Sequence, residues 1–167
     1  MTVNLIQDIH AGKAAFERHL ATATSTRSLA ERGWICHDDL TLLVPLRAIN
    51  PKSFEVDSYL LRLTFDYYPD NPPGAMFVNP ETLVFAGPDD APHMPLCESS
   101  PQVHFHLNYP EYGPMICAST TLEFYKVNHG VNEQHRWDGK QRTFLDTIAS
   151  VKSGLNEPFY RGRQVKP

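Results

Sequence analysis

Between residues 58 and 67, Tyr59, Leu61, Leu63, Phe65 and Tyr67 alternate with Ser58, Arg62, Thr64 and Asp66, and the chain then runs directly into Tyr68-Pro69-Asp70-Asn71-Pro72-Pro73. A period of two defines a β-strand whose odd-numbered side chains face a core. Proline fixes φ and lacks the N–H that a sheet needs, so the strand cannot continue through this bend. Ala75 to Val78 then supply a short returning strand, and the layout is an antiparallel meander.

Proline is frequent throughout this region. The chain holds 14 in 167 residues, most of them between 69 and 114, against an ordinary share of about 5%. Loops of fixed shape are expected there. The length suits a single domain spanning 1–167. With 41% hydrophobic and 20% charged residues, the chain has enough apolar surface for a core. A net charge of −4, a pI near 6.0 and scattered basic residues lack the footprint of a nucleic-acid binder or a membrane-surface protein. No apolar run reaches the roughly 20 residues that span a bilayer, and Asp8 interrupts any secretory leader. Cys36, Cys97 and Cys117 are odd in number and form no C-x-x-C pair, which fits a reduced, cytoplasmic setting better than a disulfide framework.

Upstream, Asn4 and Gln7 have capping-box spacing, and Ile6, Ile9, Phe16 and Leu20 fall on one helical face, predicting an amphipathic helix within an N-terminal segment 1–33. Ser25 is a second candidate cap, before Leu29, Ala30 and the stop at Gly33. From Trp34 the pattern turns to strand, with Leu40, Leu42, Leu43, Val44 and Leu46, and Pro45 predicts an edge position. Asn50-Pro51 marks a turn. Residues 79–102, with five prolines, read as an irregular loop. Val103, Phe105 and Leu107 alternate with His104, His106 and Asn108, which places the three polar residues on the face opposite the buried one. Asp138 with Gln141 is a candidate cap for a helix bearing Phe144, Leu145, Ile148 and Val151 and ending at Gly154. The fold class is α+β.

These motifs carry a family resemblance. Tyr68-Pro69-Asp70-Asn71-Pro72-Pro73 resembles the Y-P-x-x-P-P signature of the ubiquitin-conjugating enzymes of the UBC fold. His106-Leu107-Asn108, followed by Gly113-Pro114-Met115-Ile116-Cys117, resembles that family's H-P-N and then its G-x-I-C with the catalytic cysteine. Trp137 and the helix through Phe144 to Val151 resemble the tryptophan and crossover helix that come next. The likeness runs from about Trp34 to Pro158 and departs at five points, one being that little chain follows Pro158 for the family's last helices. Leu107 replaces the middle proline, one extra residue separates Gly113 from Cys117, residues 79–102 are an insertion, and Trp137 follows Cys117 by 20 residues. Such departures resemble the divergent UBC-like proteins of bacterial ubiquitin-like conjugation operons. The resemblance implies a UBC-like fold with an N-terminal helix, an antiparallel meander, an active-site cysteine loop and a crossover helix.

It also implies a chemistry. A conjugating enzyme accepts an acyl group from another thioester, holds it as its own thioester and releases it to an amine, so it needs one thiol nucleophile. Cys117 takes that role by resemblance. Asn108 corresponds to the asparagine that stabilises the oxyanion or supports the loop, and His106 orders the loop by hydrogen bonding. Ala118 and Ser119 are small and leave space for an extended peptide tail. Glu157 and Asp138 stand, by family position, nearest the cysteine as carboxylates that orient the attacking lysine. Asp70 replaces an apolar residue in a turn used for ligase docking. The implied partners are an activating enzyme, a ubiquitin-like modifier and a target protein amine. ATP is consumed by the activating enzyme, so no cofactor or metal is implied for this chain. A part in antiviral defence rests on the operon likeness alone.

Three other readings stay open at the level of sequence. His93, Cys97, His104 and His106 lie within 14 residues, a spacing that a zinc ion accepts, although the signal is weak. Cys117 with His129 or His135 makes a protease-like pair without an oxyanion-loop signature. A catalytically silent UBC variant that only binds a modifier or partner is the third, and Ile116-Cys117 after Gly113 weighs against it.

Overall fold

In the computed structural model, which describes residues 5–127, 130 and 132–166, the alternating stretch is the centre of a four-stranded antiparallel meander. Its strands are β1 (Ile35–Asp38), β2 (Thr41–Ile49), β3 (Val56–Thr64) and β4 (Gly74–Val78), paired in the order β1-β2-β3-β4. The α+β class is observed. On the inner face, Leu42, Val44, Leu61, Leu63 and Phe77 are almost wholly buried, each burial contributing roughly 1.5–3 kcal/mol. The alternation holds through Phe65 and then breaks: Tyr67 is half-buried, and Tyr68 takes the interior position.

Pro45 lies in the second strand of the order, not at an edge. It is tolerated because β1 reaches only as far as Leu43, so at Pro45 only β3 is paired with β2, through Leu60. The Asn50 turn forms as expected, with the Asn50 side-chain oxygen accepting from the Lys52 and Ser53 N–H groups.

Helix α1 (Ile9–Ala23) covers the inner face. Its cap is Asp8, which accepts from the Ala11 N–H at 2.9 Å; the predicted cap residue Asn4 lies outside the described residues. Of the predicted face, Phe16 is buried and Leu20 packs partly buried against the core, whereas Ile6 and Ile9 are exposed, and Gly12, Ala15 and Ala23 complete the buried face. Gly12 permits this contact, because a Cβ there would stand 2.2 Å from the Phe65 carbonyl oxygen. Phe16 then stacks on Phe65 with ring centroids 3.9 Å apart. A short second helix, α2 (Leu29–Arg32), is capped by Ser28 and Glu31 in place of Ser25 and ends at Gly33.

Residues 79–102 are more regular than the prolines predict. They contain a 3₁₀ turn over Pro88–His93 and a strand, β5 (Pro95–Cys97). β6 (His104–Tyr109) and β7 (Gly113–Cys117) form a hairpin, followed by α3 (Leu122–Lys126) and α4 (Phe144–Ser153). The final strand, β8 (Tyr160–Arg163), pairs with β5 and so ties the insertion to the C-terminal segment. Thr143 and Asp146 make the capping box of α4, whereas Asp138 closes a separate turn by accepting from the Lys140 N–H. Phe144, Ile148 and Val151 are buried as the stripe predicts, but Leu145 is exposed. Among the described residues, no helix is long and apolar enough to cross a membrane.

Candidate active site

Cys117 is the last residue of β7, and the register of the hairpin sets His104 directly opposite it, with His106 opposite Met115. Directly opposed residues in an antiparallel pair carry Cβ atoms about 4.5–5.5 Å apart. The imidazole nearest the thiol along the ladder therefore belongs to His104. The register slips between His106 and Tyr109, where Asn108 is exposed. Gly113 ends the tip with φ +74°, a left-handed conformation that glycine adopts without steric penalty.

Beyond Cys117 the backbone leaves the sheet, and its carbonyls need other partners. Three hydroxyls supply them. The buried Thr121 Oγ1 lies 2.8 Å from the Ile116 carbonyl oxygen and 3.0 Å from that of Ala118, and it accepts from the Ala118 N–H at 3.2 Å. The Tyr125 hydroxyl donates to the Ser119 carbonyl at 2.9 Å and accepts from the Trp137 N–H at 2.8 Å. From α4, Thr147 donates to the Thr120 carbonyl at 2.7 Å.

The proline turn reaches the same region. The Pro73 carbonyl accepts from the Leu122 N–H at the start of α3, and the Pro69 carbonyl accepts from the Trp137 indole N–H at 2.7 Å. Glu123 on α3 accepts from the Ala75 N–H at 3.1 Å. Burial pushes its carboxyl up to about 7 against the opposing effect of these N–H groups.

Cys117 lines a pocket of about 630 Å³ together with His104, with Ala118, Ser119 and Thr120 of the following turn, with Asp146, Ala149 and Ser150 of α4, and with Asn132, His135 and Arg142. Cys117 is only 7% exposed, and burial pushes the pKa of its thiol up to about 11. At neutral pH it is a protonated thiol. Cys36 is exposed and Cys97 half-buried, and neither lines this pocket. Burial raises both of their pKa values.

Of the residues singled out in the sequence, the structure brings Cys117 and Ser119 together. His106, Asn108, Glu157 and Asp138 do not line the pocket. Glu157 is exposed between α4 and β8. Asp138 and Asp70 border a second pocket of about 670 Å³, with Arg18, His19 and Trp137. His135 shares the Cys117 pocket, and His129 lies outside the described residues. Among the described residues no three of histidine, cysteine, aspartate or glutamate gather as a metal site, the set around His93, Cys97, His104 and His106 included.

Sequence reasoning did not find Thr120, Thr121, Arg142 or Asp146, and it weighed His104 only as a zinc ligand. The run Ser119-Thr120-Thr121 beside an apolar strand was the available signal, because hydroxyls next to a strand end commonly serve stranded carbonyls. Thr120 differs from its neighbours. It is 6% exposed, and its buried hydroxyl has no hydrogen-bond partner in the structure. No family model, no curated protein and no solved structure matches the chain.

Proposed function

We propose that this chain is a UBC-like conjugating enzyme that takes the C-terminus of a ubiquitin-like modifier from an activating enzyme as a thioester on Cys117 and transfers it to a target amine. The observation that carries the reading is the position of Cys117: it ends a strand, lines an open-sided pocket beside small residues, and leads into a loop clamped by three hydroxyls. The clamp holds the acceptor geometry rigid, and rigid placement of reacting atoms lowers the barrier to transfer. The bonds from Pro73 and Pro69 to α3 and Trp137 give the Y-P-x-x-P-P-like turn a physical task, which is to brace this loop.

The raised pKa of Cys117 fits a carrier. A thiol of high pKa is a poor leaving group, so its thioester is slow to react on its own and its transfer depends on groups positioned around the acyl carbon. The same burial favours a second reading, a catalytically silent UBC-like scaffold that binds a modifier or partner without a covalent step. The two differ in the accessibility of Cys117. With an activating enzyme, a modifier and ATP, Cys117→Ser is expected to give a stable oxyester or no adduct. A reductant-sensitive thioester formed as well by Cys117→Ser as by wild type would defeat the assignment. Labelling by a thiol probe at Cys36 and Cys97 alone would move the reading to the scaffold.

A further inference from the structure

Thr120 lines the pocket of Cys117, and its buried hydroxyl lacks a partner, whereas Thr121 and Thr147 nearby both have theirs. Unpaired buried hydroxyls are unfavourable, and folded chains keep few of them. Thr120 is fixed in place, because Thr147 holds its carbonyl. A threonine hydroxyl still changes direction by one rotation about χ1. Turned toward the pocket by that rotation, the hydroxyl would meet an acceptor on the pocket's occupant.

We propose that the Thr120 hydroxyl donates a hydrogen bond to the carbonyl oxygen of the acyl group that Cys117 accepts. The inference rests on the reading of Cys117 as an acyl acceptor. In the transfer, the Cys117 thiol loses its proton and its sulfur bonds to the carbonyl carbon of the incoming thioester. Charge develops on the carbonyl oxygen, where a donor is worth more than in the ground state. The carbon–sulfur bond to the donor then breaks, and the departing donor sulfur takes up a proton in place of the one that Cys117 released. The ligand class is an acyl thioester with a peptide-like carbonyl, three residues along the turn from the thiol.

The test uses the full chain and a small probe, N-acetylglycine thioester of mercaptoethanesulfonate, with acylation of Cys117 followed by peptide mapping. Thr120→Val keeps the shape and removes the hydroxyl. The expected result is roughly tenfold slower acylation, a melting temperature equal to or above that of wild type, and unchanged reaction of Cys117 with methyl methanethiosulfonate, which has no carbonyl. Thr120→Ser is expected to restore the acylation rate. Unchanged acylation in Thr120→Val, equal slowing with both reagents, a lowered melting temperature, or no acylation of wild-type Cys117 would each overturn the inference. Failure of the wild-type protein to load a modifier from an activating enzyme, with these probe results intact, would count against the conjugating reading and leave the Thr120 contact standing.

Discussion

The meander and the cysteine loop are stabilised by different means. In the meander, β2 and β3 pair over nine residues from Thr41 to Ile49, and side chains such as Leu61 and Leu63 fill the interior by area alone. In the turn from Ile116 to Thr120, by contrast, the hydroxyls of Thr121, Tyr125 and Thr147 reach the carbonyls, beside one backbone bond from the Thr121 N–H to the Ala118 carbonyl. The first arrangement gives stability, and the second gives position. A fold that separates the two can carry a precisely placed thiol on a framework whose strength lies elsewhere.

The largest expected effect follows from breaking the framework. Phe65 stacks on Phe16 and meets Phe144 edge-on at 5.8 Å, so Phe65→Ala is expected to lower stability by about 3–5 kcal/mol in urea denaturation. The reactivity of Cys117 in the fraction that remains folded should stay near that of wild type. A change in that reactivity larger than twofold would mean that the two regions are not separable.

Glu123 lies at the seam, on α3 with its carboxylate bonded to β4. Its folded pKa is raised from 4.5 to about 7, so the folded state holds the proton more tightly than the unfolded chain. The contribution is fully present below the unfolded pKa and is lost as pH rises from about 4.5 through about 7, by up to about 3 kcal/mol. Denaturation midpoints measured across this range should fall in wild type and change less in Glu123→Gln. Equal slopes in the two proteins would show that the seam is not titrating.

Thr121→Val tests the loop. It removes the hydroxyl partner of the Ile116 carbonyl and of the Ala118 N–H, while the Ala118 carbonyl keeps its bond from the Thr121 N–H, and is expected to cost about 1–3 kcal/mol. Here the effect on Cys117 should exceed the effect on stability, with modifier loading falling at least tenfold under conditions where the protein is fully folded. Loss of stability with normal loading would turn the comparison around.

The same division explains what was legible in the sequence. Strand β3 was readable because period-two alternation is a local signal of burial, and the proline bend was readable because proline acts on its own backbone. The β5–β8 pairing was not, since Pro95–Cys97 meets Tyr160–Arg163 across more than 60 residues and neither segment alternates for long enough to be recognised. Pro45 misled because an edge can be local, at one residue of an inner strand. At the site, motif spacing pointed to Cys117. Its neighbours depended on the register of the hairpin, which sets His104 opposite the thiol, whereas the motif pointed to His106 and Asn108. A slip of register changes every cross-strand partner while leaving the sequence pattern intact.

The central claim is that the pocketed thiol is the one that works. The most direct measurement incubates wild type and Cys117→Ala with a cognate activating enzyme, the modifier and ATP, then compares non-reducing with reducing gels. The account predicts a reductant-sensitive adduct of wild type that is absent from Cys117→Ala. An adduct of equal intensity in the mutant, carried on Cys36 or Cys97, would contradict it.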